Sequence, residues 1–328
     1  LYVQAEDFYF ASNRLVDLAG SFEKTGGRYL FIDEIHKYKD WSRELKLIYD
    51  YYPELHVVFT GSSVLDIAKG AFDLSRRALM YEMQGLSYSE YLELFHGIRF
   101  PVCTLQQLLR QEVEMPEGFL PLQHFSDYLQ KGYYPFADGD INQYIQQVVN
   151  ATIETDIPQY ADLSVATARK LKRLLAIIAQ SAPFKPNMTQ IGGQLEVSRN
   201  SIAELCVYLE KAGLIGQLRT STGGIQGLGK VDKIYLDNTA LIYALGNRNV
   251  EIGTVRETFF FNQTRFLFSV ATSPISDFLI DEKYTFEVGG KKKKQSQLQN
   301  IENGYVVKDD IETGYGNIIP LWMFGMLY

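Results

Sequence analysis

Two short apolar runs, separated by a segment of helical periodicity, dominate the N-terminal part of the chain. Residues 29–32 and 57–59 are apolar over the length of a short strand, and polar residues bound both runs. Between them, three apolar side chains recur at the spacing of one helix face: Trp41, Leu45 and Ile48. A strand, a crossover helix and a second parallel strand produce this pattern. Because parallel sheets normally carry helices on both faces, the pattern predicts strands that are buried on both sides.

Polar side chains follow each predicted strand at its carboxyl end. Asp33 and Glu34 follow the first strand, and Thr60-Gly61-Ser62 follows the second. Ligands of open parallel sheets bind at this edge. A carboxylate there can hold Mg²⁺ through its water shell, and a second carboxylate can orient or deprotonate the water that attacks a nucleoside triphosphate. These residue types therefore predict a nucleotide site.

Each residue at this edge has an expected role. Asp33 would serve Mg²⁺, and Glu34 would be the catalytic residue that acts on water. Thr60 or Ser62 would hydrogen-bond the terminal phosphate or that water. In the alternative interpretation, Asp33 caps the following helix and the hydroxyl groups cap a turn. The second strand, with its own polar end, favours the nucleotide site.

The remaining chain is predicted to be mainly helical. A strand at 1–4 and a helix at 7–22 precede the first apolar run, and an apolar strand is expected at 78–83. Ser87 followed by Glu90 is the capping-box arrangement of a helix start. Further helices are expected at 104–112, 125–131, 141–160, 168–180, 189–195 and from Ser198 to Gly213. Strands at 214–218 and 231–236 would pair around a glycine-rich loop, residues 221–229.

Composition excludes several classes of protein. Of the 328 residues, 46% are hydrophobic and 22% charged, as in ordinary globular domains, and the net charge of −7 gives no general attraction to nucleic acid. Cys103 and Cys206 are too few for a disulfide framework, and four His residues without paired spacing give no metal signature. No apolar run approaches the ~18 residues that span a bilayer. A reducing, cytoplasmic setting without membrane association is expected.

Two segments resemble a known family. LFIDEIHKYKDW and VVFTGSS look like the Walker B and sensor 1 strands of bacterial and archaeal AAA-type ATPases that carry a C-terminal DUF4143 domain, an AAA_14-like family. The likeness continues through SRRALMYEMQGLSYSEYL and DFLIDEKYTFEVGGK. It implies that the first domain of the intact protein binds ATP and Mg²⁺ and hydrolyses ATP. It implies much less about biological role.

The chain departs from this family at the phosphate-binding loop. The motif G-x-x-x-x-G-K-[ST] should lie upstream of Asp33, where a helix N-terminus binds the phosphates. Residues 224–230, GIQGLGK, lack its final hydroxyl residue, follow the acidic strand and precede a predicted strand instead of a helix. The chain also begins without Met, at Leu1. The expectation is a fragment that holds no nucleotide and does not hydrolyse ATP efficiently by itself.

Arg76 and Arg77 follow the sensor strand. In ATPases of the type that the chain resembles, an Arg in this region can reach the terminal phosphate, within the chain or across a subunit interface. It then offsets charge that develops in the transition state. The alternative is a surface pair bonded to Asp73 or to a sheet edge.

Residues 164–220 are similar in pattern to a winged-helix domain. Such a domain often docks its second helix in the major groove of DNA. Here Arg199 and Lys211 of that helix are balanced by Glu204 and Glu210, so its charges cancel. A structural or protein-contacting module is therefore favoured over a DNA reader.

The C-terminal stretch contains a competing site. Four residues of this stretch resemble the PD-(D/E)XK nuclease core. They are Glu257 on an aromatic-rich helix, Asp277, Glu287 on a strand at 284–288, and Lys291. In that core an Asp and a Glu bind Mg²⁺, and a Lys two residues after the Glu helps to activate water. Here position 289 is Gly, and Lys291 lies ~13 Å from Glu287 in an extended strand unless the glycine pair forms a bulge. The resemblance implies a degenerate nuclease fold.

The expected architecture is α/β with four segments. They are a partial P-loop NTPase-like sheet at 1–100, a helical connection at 101–163, a winged-helix domain at 164–246 and a nuclease-like α/β domain at 247–328. The leading function is that of an ATPase in its intact form. The alternatives are a DNA-binding or metal-dependent nuclease protein gated by the ATPase domain, and a nucleotide-switched module that binds an unidentified protein partner.

Overall fold

The computed structural model of the protein describes residues 1–61, 70, 74, 76–136, 140–181, 185, 187–221, 229–246, 250–294, 298 and 301–328. Within these residues the fold is mixed α/β, as expected. The chain divides into two units, one of Leu1–Met83 with Asp156–Leu163 and the other of Gln84–Thr155 with Ser164–Tyr328. The division into four functional segments stays a prediction.

A small parallel sheet forms the centre of the first unit. Its strands are β1 (Tyr2–Gln4), β2 (Tyr29–Asp33) and β3 (His56–Phe59), in the order β1-β2-β3. Both pairings are parallel. Helix α1 (Leu15–Lys24) connects β1 to β2, and helix α2 (Trp41–Tyr51) connects β2 to β3. The predicted strand, crossover helix and parallel strand are therefore confirmed.

Only one face of this sheet is covered, so the prediction of strands buried on both sides is wrong for the described residues. Leu30 and Ile32 of β2 lie in one core with the apolar faces of α1 and α2. Successive side chains of a strand point to opposite faces. The alternate residues Tyr29 and Phe31 are accordingly 59% and 45% exposed, and Val58 of β3 is 51% exposed. Both crossover helices cover the same face.

A glutamate from α2 supplies the N-terminal cap of α1. The N-cap residue Arg14 has no side-chain capping bond of its own. Instead, the buried carboxylate of Glu44 accepts hydrogen bonds from the Val16 N–H at 3.0 Å and from Arg14 Nε at 3.1 Å. A helix N-terminus leaves unpaired N–H groups and favours negative charge. Glu44 thereby ties the two helices together.

The strand predicted at residues 78–83 does not form. The segment has no regular secondary structure, and Leu79, Tyr81 and Met83 are 81%, 88% and 96% exposed. Strands persist because a neighbouring strand satisfies their backbone groups. No described strand pairs with this segment, so its apolar composition alone does not make it a strand.

The second unit begins with helices. Helix α3 (Tyr88–His96) starts with the predicted capping box between Ser87 and Glu90, which is confirmed. The following helices are α4 (Leu105–Leu109), α5 (Phe125–Asp127), α6 (Ile141–Ala151) and α7 (Ile157–Ala161). Helix α5 continues as a π-helix over Tyr128–Gly132, and α6 continues as one over Thr152–Asp156. Helix α7 belongs to the first unit. Helix α4 ends earlier than predicted, because Gln111 adopts a left-handed backbone conformation.

Three helices and a hairpin follow. They are α8 (Val165–Ser181), α9 (Met188–Leu195), α10 (Arg199–Lys211) and the antiparallel strands β4 (Ile215–Arg219) and β5 (Val231–Leu236). The predicted cap is confirmed, since the Ser198 hydroxyl accepts from the Ser201 N–H at 3.1 Å. Residues 222–228 of the glycine-rich segment lie outside the described residues. A strand, and not a helix, follows that segment at Val231, as predicted.

A mixed sheet and a buried helix complete the second unit. Helix α11 (Thr239–Leu245) precedes α12 (Ile252–Arg265), which is buried along most of its length. The strands are β6 (Val270–Thr272), β7 (Phe278–Ile280), β8 (Tyr284–Gly289), β9 (Gly304–Lys308) and β10 (Ile318–Pro320), in the order β10-β9-β8-β7-β6. β6, β7 and β8 pair antiparallel, whereas β8, β9 and β10 pair parallel. A buried 3₁₀ segment, Leu321–Met326, follows β10.

Both thiols are expected to be unreactive in the folded protein. Burial raises the pKa of Cys103 to about 11 and that of Cys206 to about 12. At pH 8 the thiolate fraction is then about one in a thousand or lower, against roughly a quarter for a thiol of ordinary pKa. Reaction with Ellman's reagent should be at least about 100-fold slower for the native chain than for the chain in guanidinium chloride. Rapid titration of one native thiol would contradict this expectation.

Candidate functional site

The carboxyl ends of β2 and β3 bring three of the predicted residues together. Asp33 is the last residue of β2, and Thr60 follows β3 directly. The Thr60 hydroxyl donates a hydrogen bond to Asp33 Oδ1 at 2.5 Å, and the Glu34 N–H donates to the same oxygen at 3.1 Å. Asp33 does not cap a helix, because the N-cap residue of the following 3₁₀ turn, Ile35–Lys37, is Glu34, and the turn has no side-chain capping bond.

Tyr2 is a member of this edge that the sequence did not reveal. Its hydroxyl donates a hydrogen bond of 2.6 Å to Asp33 Oδ2. Tyr2 lies on β1, the strand beside β2, and its register partner is Phe31, two residues before Asp33. A single tyrosine near the start of a chain carries no pattern that points to a carboxylate 31 positions away. The parallel pairing of β1 with β2 places it there.

Neighbouring donors stabilise the charged form of Asp33. The hydrogen bonds from Thr60 and Tyr2 lower the pKa of Asp33 and outweigh the opposing effect of burial, and the Glu34 backbone bond adds a smaller lowering effect. An ionised carboxylate has about four acceptor positions, and these three donors occupy three of them. With respect to the described residues, one acceptor position on Oδ2 remains for a further donor such as a water molecule.

Glu34 lies beside Asp33 in an unusual backbone conformation. Its φ of 52° is in the left-handed region, and the chain turns there from β2 into the 3₁₀ turn Ile35–Lys37. His36 Nε2 lies 3.4 Å from Glu34 Oε2, and the His36 side chain is 6% exposed. His36 Nδ1 is buried and has no hydrogen-bond partner among the described residues. Strained backbone of this kind is common at functional sites.

The other residues assigned to the nucleotide site are Ser62, Arg76 and Arg77. Ser62 lies outside the described residues. Arg76 is exposed, and no described residue forms an ion pair with it. Arg77 donates two hydrogen bonds to the carboxylate of Asp50, from Nε at 2.9 Å and from Nη2 at 3.1 Å. These contacts hold the Arg77 guanidinium at the C-terminal part of α2.

A second cluster in the other unit contains the alternative site. Glu257 of α12 and Asp277, which precedes β7, both contact the ammonium group of Lys233, a residue of β5. The distances from Lys233 Nζ are 3.1 Å to Glu257 Oε2 and 3.5 Å to Asp277 Oδ1. The hydroxyl of Tyr235 donates to Glu257 Oε2 at 2.7 Å. The predicted carboxylates therefore meet, but around a lysine that the sequence did not indicate.

Glu287 of β8 lies at the same cluster and pairs with a different lysine from the one predicted. Its carboxylate contacts the ammonium of Lys293 and accepts a hydrogen bond from the Ser276 hydroxyl at 2.6 Å. Lys291 is exposed. A turn closed by the Lys293 N–H and the Gly290 carbonyl returns the chain toward β8. A Cβ atom at Gly289 would lie 2.7 Å from the Lys293 side chain, so glycine leaves room for that lysine to reach Glu287.

Burial and charge shape the electrostatics of this cluster. Burial, and then the nearby charge of Glu257, raise the pKa of Asp277. Burial lowers the pKa of Lys233, but the attraction of Glu257 and Asp277 more than offsets it, so the net shift is upward and the ammonium is retained. No group of three or more His, Cys, Asp or Glu side chains in the described part of the chain is arranged to hold a metal ion.

Comparisons with known proteins address the first unit most directly. A family model described as an AAA domain matches residues 1–92. A second model, a domain of unknown function named DUF8612, matches residues 122–251. It is a different family from the DUF4143 domain that the resemblance implies. No curated protein matches the chain. Among the described residues, no helix has the length and apolar character needed to cross a membrane.

The match over residues 1–92 supports an AAA-like domain in the N-terminal part of the chain. Asp33, Glu34 and Thr60 lie within the residues that match the AAA model. Lys233 and Tyr235 lie in the part that matches DUF8612, and Glu257, Asp277 and Glu287 lie outside both matches. The family model therefore bears on the first site and is silent on the second.

Proposed function

We propose that the end of β2 and β3 is the magnesium and water side of an ATP site. The observation that carries this proposal is the position of Asp33, held ionised at the carboxyl edge of a parallel sheet by Tyr2, Thr60 and the Glu34 backbone. Ligand sites of open α/β sheets lie at this edge. The AAA-domain match over residues 1–92 supports the choice of a nucleoside triphosphate as the ligand.

The roles of the residues follow from their surroundings. Asp33 would hold water molecules of the Mg²⁺ shell, and Glu34 would orient or deprotonate the attacking water. Thr60 would position Asp33 and could also contact the terminal phosphate. A hydrogen bond from Ser62 to that phosphate or to the attacking water stays a prediction. Arg76 is the better candidate for a phosphate contact, because Arg77 would first have to leave Asp50. Bound Mg²⁺ would supply charge neutralisation at the phosphates.

Asp33→Asn is expected to weaken the magnesium-dependent part of ATP binding by at least about tenfold, or ~1.4 kcal/mol. The change keeps the shape of the side chain and removes the charge that attracts the hydrated cation. Calorimetric titrations with ATP, with and without Mg²⁺, would measure it. They should be run on the 328-residue chain and on a form that includes any residues encoded upstream of Leu1.

Asp17→Asn is the matched control, because Asp17 is an exposed aspartate of α1 in the same unit. It should leave ATP binding unchanged. Equal affinity of wild type and Asp33→Asn for Mg²⁺-ATP, in a form that binds ATP, would refute the proposed role of Asp33. Absence of binding by every form would indicate that the carboxylate edge is structural.

We propose a protein-contacting role for the second unit. Helices α8, α9 and α10 with the hairpin β4–β5 have the order of a winged-helix domain, and α12 with the sheet β6–β10 has the order expected of a nuclease-like fold. On α10, Glu210 pairs with Arg219 of β4 at 2.8 Å, and Glu204 accepts from Tyr208 at 2.8 Å. This helix therefore offers no strongly basic surface for the phosphates of DNA.

Metal-dependent DNA cleavage is the second candidate function. The observation in its favour is the convergence of Glu257, Asp277 and Glu287 in one cluster. Against it stand two lysines in direct contact with these carboxylates. Incubation of supercoiled DNA with the protein and Mg²⁺ or Mn²⁺ tests the candidate, and cleavage that is lost in Glu287→Ala would establish it.

A further inference from the structure

We propose that the ammonium group of Lys233 is the permanent cation of the Glu257–Asp277 cluster. It takes the place that a divalent metal would need, and it fastens the hairpin β4–β5 to the sheet β6–β10. The inference does not depend on the ATP site. It predicts that the wild-type cluster binds no divalent metal and that removal of one side chain creates such a site.

The geometry places Lys233 between the two carboxylates. Its Nζ atom is within 3.5 Å of one oxygen from each. The side chains of Lys233, Glu257 and Asp277 are only 14%, 17% and 18% exposed. Charged groups with so little solvent access remain ionised only when they are paired and hydrogen-bonded. The lysine is therefore the partner that makes burial of the two acids tolerable.

Other donors also bind the two carboxylates, and Glu257 Oε2 accepts from both Lys233 and Tyr235. Tyr235, two residues after Lys233 on β5, donates to Glu257 Oε2. The Val288 N–H of β8 donates to Asp277 Oδ2 at 3.0 Å. Three donors on two strands, β5 and β8, thus bind the same pair of carboxylates. A hydrogen-bonded polar cluster of this kind favours one arrangement of its elements.

The position of Lys233 is set by strand pairing and not by a flexible loop. Lys233 lies opposite Leu218 in the antiparallel register of β4 and β5. One residue earlier on β5, the carboxylate of Asp232 accepts a hydrogen bond of 3.1 Å from the Thr272 hydroxyl of β6. The backbone of Thr220 also bridges to Thr272. These contacts hold the hairpin against the sheet, so the ammonium group is delivered to the carboxylates as part of the fold.

The third carboxylate has its own lysine. The side chain of Glu287 is 6% exposed, and its carboxylate contacts the ammonium group of Lys293. Three acidic side chains therefore face two ammonium groups, and the cluster has little net charge with which to attract a metal ion. Entry of Mg²⁺ at Asp277 would require Lys233 to move out of a buried pair, at the cost of leaving an ammonium without a partner.

Replacement of Lys233 by Met tests the proposal. Methionine keeps an unbranched side chain of similar length but removes the charge, so Glu257 and Asp277 then need another cation. Titration with MnCl₂, followed by the electron paramagnetic resonance signal of free Mn²⁺, should show affinity at least about tenfold higher for Lys233→Met than for wild type. The gain should be lost in the double variant Lys233→Met/Asp277→Asn.

Two lysine variants serve as controls. Lys230→Met removes an exposed lysine from the segment just before β5 and should leave Mn²⁺ affinity at the wild-type value. Lys233→Arg keeps the positive charge and should not create a site. Wild-type binding of Mn²⁺ that is lost in Asp277→Asn would overturn the proposal, because the metal would then displace the lysine. Folded Lys233→Met with wild-type Mn²⁺ affinity would also overturn it.

A measurement on the wild-type protein applies even where Lys233→Met does not fold. Acetylation by a water-soluble N-hydroxysuccinimide ester, quantified by peptide mass spectrometry, reports how available each lysine amine is. Lys233 should react at least about tenfold more slowly than Lys230, with or without millimolar Mn²⁺. Equal labelling of the two lysines, or labelling of Lys233 that Mn²⁺ accelerates, would refute a permanent ion pair.

Discussion

Glu34→Gln is expected to lower the rate of magnesium-dependent ATP hydrolysis about 100- to 10,000-fold, the range contributed by a positioned general base. Glutamine keeps the size of the side chain but cannot accept the proton of the attacking water. Affinity for ATP should change little, because Glu34 is assigned to water and not to the phosphates. Phosphate release under single-turnover conditions measures the rate, in a form of the protein that carries a phosphate-binding loop.

Glu54→Gln is the control for this experiment, since Glu54 is an exposed glutamate of the same unit. Its rate should match that of wild type. Hydrolysis by Glu34→Gln at the wild-type rate would remove Glu34 from the mechanism. A rate lost together with ATP affinity would instead point to a role in binding.

The environments of the two acidic residues explain why Glu34 and not Asp33 is assigned as the base. Hydrogen bonds from Thr60 and Tyr2 lower the pKa of Asp33, which makes it a weak proton acceptor. They also fix its orientation, which suits an anion that holds a hydrated metal ion. Glu34 has a side chain that is 31% exposed and is turned out of the strand by its left-handed backbone. It can therefore meet a water molecule that Asp33 cannot activate.

Phe260→Ala is expected to lower the free energy of unfolding of the second unit by about 3–5 kcal/mol. Phe260 is completely buried on α12. Its ring centroid lies 4.9 Å from that of Phe278, 5.2 Å from that of Phe286 and 4.6 Å from that of Phe324. Truncation removes the ring from the centre of this aromatic group and leaves a cavity that two strands and the C-terminal 3₁₀ segment cannot fill.

Urea unfolding followed by tryptophan fluorescence can report on the second unit alone. The chain has two tryptophans, Trp41 in the first unit and the buried Trp322 in the second. A Trp41→Phe background therefore leaves Trp322 as the reporter. Phe266→Ala is the matched control, because Phe266 follows α12 and is 37% exposed. A loss of stability no greater than that of the control would contradict the assignment of Phe260 to the core.

Local sequence pattern was sufficient to predict the elements and residues of the nucleotide site at the ends of β2 and β3. The strands at 29–32 and 57–59, the helix between them and the meeting of Asp33 with Thr60 all follow from short-range periodicity and the rule for parallel sheets. The capping residues Ser87 and Ser198 were also predictable, because a cap acts within three residues of its helix. The caps depend on neighbours in the chain, whereas Asp33 and Thr60 meet because one crossover helix joins two adjacent parallel strands.

Errors in the prediction arose where distant segments decide the outcome. Burial of both sheet faces was inferred from apolar strands, yet α1 and α2 cover the same face and leave Phe31 exposed. The apolar run at 78–83 lacks a described partner strand and stays irregular. The lysine beside Glu287 is Lys293 and not Lys291, because a turn after Gly289 and Gly290 redirects the chain.

The sequence by itself determined the α/β class, the order of most elements and the acidic strand end, since these rest on periodicities of two to four residues and on side-chain chemistry. Only the tertiary structure decided which side chains complete each cluster. Tyr2 reaches Asp33, and Lys233 reaches Glu257, through strand pairings and packing between segments far apart in the chain. Partners of this kind leave no local pattern, because folding alone brings them together.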